Sequence, residues 1–347
     1  MATTWQHLRS VMGLSTLALA LGMSGSATAA DKPVRLRLSH NLPTTNALHY
    51  GVMVPWAKSI EDASEGSLKV QVFPAQQLGP AKDHYNMARD GIVDLAFYLV
   101  GIEPGRFPIV SAAEMPFLVA DNGKGSRAFY EWYQSYAPQE MGDVKVCTMF
   151  YDGGGTIHSK QKIESPSDMA GMKIRSPNVQ AANFYRLSGA SPIQLSASDA
   201  ADAVERGVVD AISFPWNLLS ALGADRALKY HLDMNFYSLG TAIVMNKASY
   251  ERLSDQQKAV MDQHCNADWA ERLPKAWFDW EQEGRQALMG KSDHVLYTVP
   301  AEKEGEWKAA ADKVRAEWQA TVEKTGADGE AIFADLQKRL ESYNAAY

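Results

Sequence analysis

The chain has 347 residues, a formal net charge of −7 and a globular composition, 46% hydrophobic and 22% charged. That length allows two domains with cores of their own. No basic run is present, which argues against nucleic acid as a partner.

The N-terminus reads as an export signal. Arg9 supplies positive charge, Val11 to Met23 is apolar and small, and Ala27-Thr28-Ala29 forms an A-x-A cleavage pattern. Residues 1–30 are therefore expected to be a signal peptide, and the periplasm of a bacterium is the expected destination. The apolar run is too short to anchor in a bilayer, and no later segment is apolar for long enough to cross one.

Val34-Arg35-Leu36-Arg37-Leu38 alternates with period two and reads as a strand ending at Ser39-His40-Asn41. A helix is expected from about Ala47 to Glu65, stopped by Gly66. Leu68 to Phe73 alternates again. A helix from about Lys82 to Asp90 passes through Gly91 into a strand at Ile92 to Phe97. This succession is a doubly wound α/β signature. Pro108 to Leu118 reads as a strand and its exit, Asn122 to Tyr136 as a helix, and Val144 to Phe150 as a strand running into Tyr151-Asp152-Gly153-Gly154-Gly155.

Gly171-Met172-Lys173-Ile174-Arg175-Ser176-Pro177 follows Ser165-Pro166-Ser167-Asp168 and precedes Asn178. It reads as a helical turn, a glycine stop, a short apolar strand and a new helix cap, with Arg175 at the strand end. Helices over about 179–188 and 198–206 flank a strand at 192–195, and Gly207 leads into Val208 to Phe214. Ala88-Arg89-Asp90-Gly91-Ile92-Val93-Asp94 and Val204-Glu205-Arg206-Gly207-Val208-Val209-Asp210 are the same device, a helix stopped at glycine before a buried strand. That echo predicts two α/β lobes.

Beyond it, Phe236 to Val244 reads as a long strand crossing between lobes. Ser254 opens a helical stretch to about Met289, Val295 to Val299 reads as a strand, and two further helices follow. Trp269, Trp277, Trp280, Trp307 and Trp318 read as packing residues on these helices. The two cysteines, Cys147 and Cys265, read as separate buried thiols, a disulfide being the alternative in an oxidising compartment.

Signals of catalysis are few. There is no G-x-S-x-G elbow, no H-E-x-x-H and no cysteine cluster suited to a metal. Gly153-Gly154-Gly155-Thr156 lacks the lysine of a phosphate loop and reads as a place where backbone approaches a ligand or another strand. Neither a metal nor another cofactor is expected. In open α/β sheets ligands sit beyond the carboxyl ends of strands. Those ends carry His40 and Asn41, Tyr98 and Leu99, Gly154 and Gly155, Arg175, and Phe214, Trp216 and Asn217. One fixed positive charge among aromatic, apolar and neutral polar groups describes a site for a small organic anion with an apolar body.

In ordered motifs the chain resembles the extracytoplasmic solute receptors of TRAP transporters, the DctP type. The resemblance runs from Leu36 to about Ala259. It rests on Phe73-Pro74-Ala75-Gln76-Gln77-Leu78-Gly79, Gly91-Ile92-Val93-Asp94, Met115-Pro116-Phe117-Leu118, Met172-Lys173-Ile174-Arg175-Ser176-Pro177, Leu187-Ser188-Gly189-Ala190-Ser191-Pro192 and Gly207-Val208-Val209-Asp210. It implies a two-lobed α/β fold of the periplasmic-binding-protein kind, with an inter-lobe ligand cleft and long C-terminal helices bracing both lobes. The expected partition is lobe I over 31–150 with returning segments from about 236–300, a lobe II core over 151–235, and bracing helices over 254–347. The resemblance also implies that Arg175 holds a ligand carboxylate and that Asn41 is the common asparagine after the first strand. The ligand would pass to a small and a large integral membrane subunit for uptake driven by an ion gradient.

The departures from the family pattern bear on the ligand. Where many members read G-Q-E-N-P this chain has Ala211-Ile212-Ser213-Phe214-Pro215. Leu99 and Gly155 stand where sialic-acid receptors of the family resemble one another in carrying a glutamate and a second arginine. Polyhydroxylated ligands need many hydrogen-bond partners. The expectation is therefore a monocarboxylate with an aromatic or otherwise hydrophobic body, a 2-oxo or 2-hydroxy acid among the candidates. Two other readings remain open at this point: a ligand sensor for a signalling receptor, and an exported enzyme built on Asp152 and His158.

Overall fold

The computed structural model describes residues 32–347, so the expected export signal at residues 1–30 lies outside the described residues. In chain order the strands are β1 (Val34–Ser39), β2 (Leu68–Phe73), β3 (Leu95–Leu99) and β4 (Val144–Tyr151). Then come β5 (Thr156–Ser159), β6 (Lys173–Ser176), β7 (Ser191–Gln194) and β8 (Ala211–Phe214). β9 (Tyr230–Leu232), β10 (Gly240–Asn246) and β11 (Val295–Tyr297) follow. They form two sheets, ordered β2-β1-β3-β10-β4 and β11-β9-β5-β8-β6-β7. β1, β2 and β3 are parallel, as are β6, β7 and β8, while β10 and β5 run antiparallel to their neighbours.

Burial explains which sequences became which strands. In β1 Leu36 and Leu38 are buried and Arg35 and Arg37 exposed, the alternation of a strand with one covered face. β8 and β10 are buried throughout, the run expected of a strand covered on both faces.

The echoed junctions are the same construction in each sheet. Gly91 and Gly207 both take left-handed backbone, φ 73° and 71°, which only glycine adopts without strain. The aspartate that follows then clips its strand to a neighbour. Asp94 N donates to Arg37 O (3.1 Å) and its carboxylate accepts from Arg37 N (2.8 Å). Asp210 N donates to Lys173 O (2.7 Å) and its carboxylate accepts from Lys173 N (2.9 Å).

The chain passes between the sheets at residues 152–155 and again at 233–239. The helix Lys275–Met289 spans them too. Trp277 near its start belongs to the apolar cluster of the first sheet, and Leu288 near its end to that of the second. A third cluster holds residues from both sheets together with Trp307 and Trp318 of the helix Glu304–Glu323. Trp307 stacks on Phe184, rings 6.0 Å apart and 9° from parallel. Among the described residues no helix is long and apolar enough to cross a membrane.

Several expectations are corrected. Cys147 and Cys265 form a disulfide, joining β4 to the end of the helix Asp255–His264. Sheet packing brings their Cα atoms within 4.3 Å across 118 residues of sequence, a proximity no local pattern encodes. Within 236–300, β10 returns to the first sheet, while β11 pairs with β9 in the second. Pro108 to Leu118 contains a 3-10 turn, Val110–Glu114, in place of a strand. The stretch from Ser254 to Met289 is three helices, because Asn266 caps a new start with its side chain on Trp269 N and Pro274 begins another. The crossing strand begins only at Gly240. Before it, Tyr237 makes an isolated bridge to Gly155.

Candidate functional site

A cleft of about 820 Å³ opens between the two sheets at the carboxyl ends of their parallel strands. Arg175 lines it from β6, Leu99 from the end of β3, Phe214 from the end of β8 and Asn41 from the turn after β1. This is the topological position where open α/β sheets hold ligands.

Local sequence explains why Arg175 is there. A capping box of Ser165 and Asp168 starts a short turn, and Gly171 at φ 76° ends it. Ile174 anchors β6 in the core. Asn178 then accepts from Ala181 N (2.8 Å) and opens the helix Val179–Leu187, so the strand stops one residue after Arg175.

Arg175 is 7% exposed. Its Nε donates to Leu195 O (3.1 Å) and Nη1 to Ser213 O (3.0 Å), so the carbonyls at the ends of β7 and β8 fix the plane of the guanidinium. The ring of Phe214 lies 4.9 Å from its Cζ. Among the described residues no carboxylate makes an ion pair with it. Burial lowers its pKa, yet a guanidinium keeps its charge in proteins. A buried cation held by neutral groups is costly and readily accepts an anion.

The walls are largely apolar. Phe97, Leu99 and Trp277 stand on the side of the first sheet, and Phe214, Pro215, Leu218 and Leu222 on that of the second. Trp277, grouped with the packing tryptophans by its helical spacing, was missed as a lining residue. Its helix is fixed against Phe97, ring centroids 6.5 Å apart, by contacts remote in sequence. Glu103 also lines the cleft, but its carboxylate already accepts from Tyr98 Oη (3.2 Å) and Arg106 Nη1 (2.6 Å). Asp152 lines it as well. Burial pushes its carboxyl up to about 7, against two backbone donors, Leu239 N and Gly154 N, that favour the ionised form.

The remaining expected residues lie elsewhere. Tyr98 points to the opposite face of β3 from Phe97 and Leu99, as strand alternation requires, and packs against Phe107 and Tyr85. His40 is fully buried, with Nε2 2.9 Å from His49 Nδ1, and burial with neighbouring imidazoles lowers its pKa to about 3. Trp216 starts the helix Trp216–Ala221. Pro215, Leu218 and Leu222 share the cleft-facing side, so Trp216 is directed to a smaller cavity with His231 and His294. Asn217 is tied to the helix Lys275–Met289, N to Glu281 Oε2 (2.6 Å) and Nδ2 to Trp280 O (2.7 Å). Gly154 and Gly155 face the other crossing segment. A Cβ would come within 2.4 Å of Asn235 Oδ1 at the first and of Tyr237 Oη at the second.

The pair Asp152 and His158 is not set up for proton transfer to a substrate. His158 is fully buried, with Nε2 donating to Phe214 O (3.1 Å) and Nδ1 2.8 Å from His231 Nδ1. Among the described residues no group of three or more His, Cys, Asp or Glu is arranged to hold a metal ion.

The arrangement therefore suits a small anion with an apolar body. Comparison with known proteins agrees in kind. The model of the bacterial extracellular solute-binding proteins, family 7 (DctP), matches residues 38–321. A solute-binding protein of Roseobacter denitrificans is 24% identical over 275 residues, 76% of this chain and 81% of its own. A marine-metagenome TRAP solute-binding protein specific for aromatic acid ligands, solved with 3-hydroxybenzoate, is 28% identical. Its TM-score is 0.85, covering 90% of this chain and 99% of its own. A TRAP solute-binding protein from Rhodoferax ferrireducens, solved with copurified benzoate, is 25% identical with a TM-score of 0.85, covering 90% and 98%.

Proposed function

Since the chain belongs to family 7 of the bacterial extracellular solute-binding proteins, the receptors of TRAP transporters, we propose that its own ligand is an aromatic monocarboxylate. Arg175 holds the carboxylate. The protein acts in the periplasm and hands the ligand to the small and large membrane subunits of its transporter for uptake driven by an ion gradient.

The observation that carries this reading is a buried guanidinium, unpaired with any carboxylate among the described residues, at the end of an apolar cleft. Its donors suit a charge-assisted and bidentate pair with a carboxylate. Excluding water around that pair strengthens it. The aromatic body lies between the walls of Phe214 and Leu99, and burying a phenyl-sized group contributes roughly 2–3 kcal/mol at ~25 cal/mol per Å². A second carboxylate would face Asp152 and Glu103, and the one other cation lining the cleft among the described residues, Lys82, is exposed to solvent. Asn41 adds an acceptor, since its Oδ1 is buried without a partner among the described residues, which favours ligands with a hydroxyl or other donor. Ligand closes the lobes only as far as it prefers the closed form.

The test is a thermal-shift screen of organic acids on the wild type and on Arg175→Ala. Aromatic monocarboxylates are expected to raise the melting temperature of the wild type and to leave the variant unmoved. Stabilisation by sugar acids or dicarboxylates alone would overturn the ligand class, and unchanged stabilisation of Arg175→Ala would overturn the role of Arg175.

A further inference from the structure

We infer that Tyr237 is a second ligand-positioning residue, whose phenol donates a hydrogen bond to the same carboxylate that Arg175 holds, and that Gly155 is a glycine to make room for it. This rests on the reading that an aromatic monocarboxylate occupies the cleft.

Two phenols stand close enough to Arg175 to influence its guanidinium, Tyr237 and Tyr185. They differ in one respect. The Tyr185 hydroxyl is hydrogen-bonded to Ser213 Oγ. The Tyr237 hydroxyl has no partner among the described residues, although Tyr237 is 2% exposed and lines the cleft. Leaving a buried hydroxyl unpaired is costly, and native proteins do so rarely without a use for the group. Burial also raises the pKa of this phenol well above its ordinary value, so it stays a donor at every physiological pH. A protonated phenol beside a fixed guanidinium complements a carboxylate, which has acceptor sites for both.

Backbone geometry shows that the placement is constructed. Gly155 N donates to Tyr237 O (2.9 Å), and Phe236 N donates to Gly155 O (3.0 Å). These bonds pin the two crossing segments to each other and set the ring against Gly155. A Cβ on residue 155 would stand 2.4 Å from Tyr237 Oη and 2.5 Å from its Cζ, so any side chain there displaces the phenol. Gly155 has no left-handed backbone to protect, unlike Gly154 at φ 64°, so the space for the ring is the reason for glycine.

The test is calorimetric titration of benzoate into wild type, Tyr237→Phe and Gly155→Ala, with the melting temperature of each measured without ligand. Tyr237→Phe keeps the ring and removes only the hydroxyl. A hydroxyl kept for a ligand predicts a benzoate affinity lower by about ten- to a hundredfold, with a melting temperature unchanged or raised because an unpaired polar group is gone. Gly155→Ala is expected to weaken benzoate as well. Wild-type affinity in Tyr237→Phe overturns the inference and leaves the ligand class standing. A fall in ligand-free melting temperature with affinity retained makes the hydroxyl structural and overturns it too. A wild type that binds no aromatic monocarboxylate overturns the ligand class first, and the inference with it.

Discussion

Asp152 and Leu239 are tied to each other across the passage between the sheets. Asp152 N donates to Leu239 O (3.0 Å), and Leu239 N donates back to Asp152 Oδ1 (3.1 Å). The carboxyl that holds this crossing also acts on two other buried carboxyls, Glu114 and Glu281, whose pKa values it helps to raise. Glu114 accepts from Gly240 N (3.0 Å), and Glu281 from Asn217 N (2.6 Å), so all three acids grip backbone near the lobe junction.

Burial raises these carboxyls to about 7 for Asp152 and about 8 for Glu114 and Glu281. Each holds its proton more firmly folded than unfolded. Its contribution to stability is complete below the unfolded value, 3.8 for Asp and 4.5 for Glu, and is lost as pH rises through the folded value. Above pH 6.5 the histidines no longer oppose this trend. The melting temperature of ligand-free protein is therefore expected to fall between about pH 6.5 and 8.5. Asp152→Asn should flatten the decline, as followed by thermal denaturation across that range. A flat wild-type profile would contradict the protonated carboxyls.

Three imidazoles form a relay through the second sheet. His158 Nε2 donates to the Phe214 carbonyl, which makes its Nδ1 the acceptor from His231 Nδ1 (2.8 Å). His231 Nε2 then accepts from His294 Nδ1 (2.7 Å), and His294 Nε2 from Lys229 Nζ (3.2 Å). Every member is neutral in this pattern. Burial lowers all three pKa values, His231 to about 4. A depressed histidine stabilises the fold above its unfolded value of 6.5, and that contribution is lost as pH falls through the folded value. His231→Gln is expected to be less stable than wild type at pH 7 but to lose less between pH 6.5 and 4.5. Urea melts at the two pH values measure this, and equal losses in both proteins would argue against the relay.

The disulfide closes a long loop, Cys147 to Cys265. Restricting the unfolded chain over such a span is worth about 4–5 kcal/mol in the chain-entropy account. Urea unfolding with and without reductant is expected to show a loss of that order, and the double replacement Cys147→Ser, Cys265→Ser should reproduce it without reductant. An unchanged midpoint would mean the pair adds no stability.

Leu99 gives the cleft part of its apolar wall. Leu99→Glu puts a carboxylate beside a site for an anion, where like charge and desolvation act together. Benzoate binding is expected to weaken by tenfold or more at pH 7, measured by calorimetry. Binding as tight as in wild type would mean the ligand lies away from β3.

Much of the scaffold was legible because its signals are local. Gly91 and Gly207 announce the same helix stop, and the structure repeats the same aspartate clip after each. Alternation marked β1, and the capping residues around Arg175 marked where β6 begins and ends. These depend on backbone sterics and on hydrogen bonds spanning a few residues, so the sequence carries them openly. Leu95-Ala96-Phe97-Tyr98-Leu99 carried no such signal for its faces. Every residue in it is apolar or aromatic, and only the layers packed on either side turned Leu99 to the cleft and Tyr98 away.

By itself the sequence determined a two-lobed α/β chain of the TRAP receptor family with an arginine at a strand end. Tertiary structure alone decided that Arg175 has no carboxylate partner among the described residues, that Trp277 lines the cleft, that Cys147 meets Cys265, and that the Tyr237 hydroxyl is left unpaired beside Gly155. The last three of these join residues distant in the chain. Their meeting depends on how two sheets and a spanning helix pack, and such long-range contacts leave no periodic trace in the sequence around either partner.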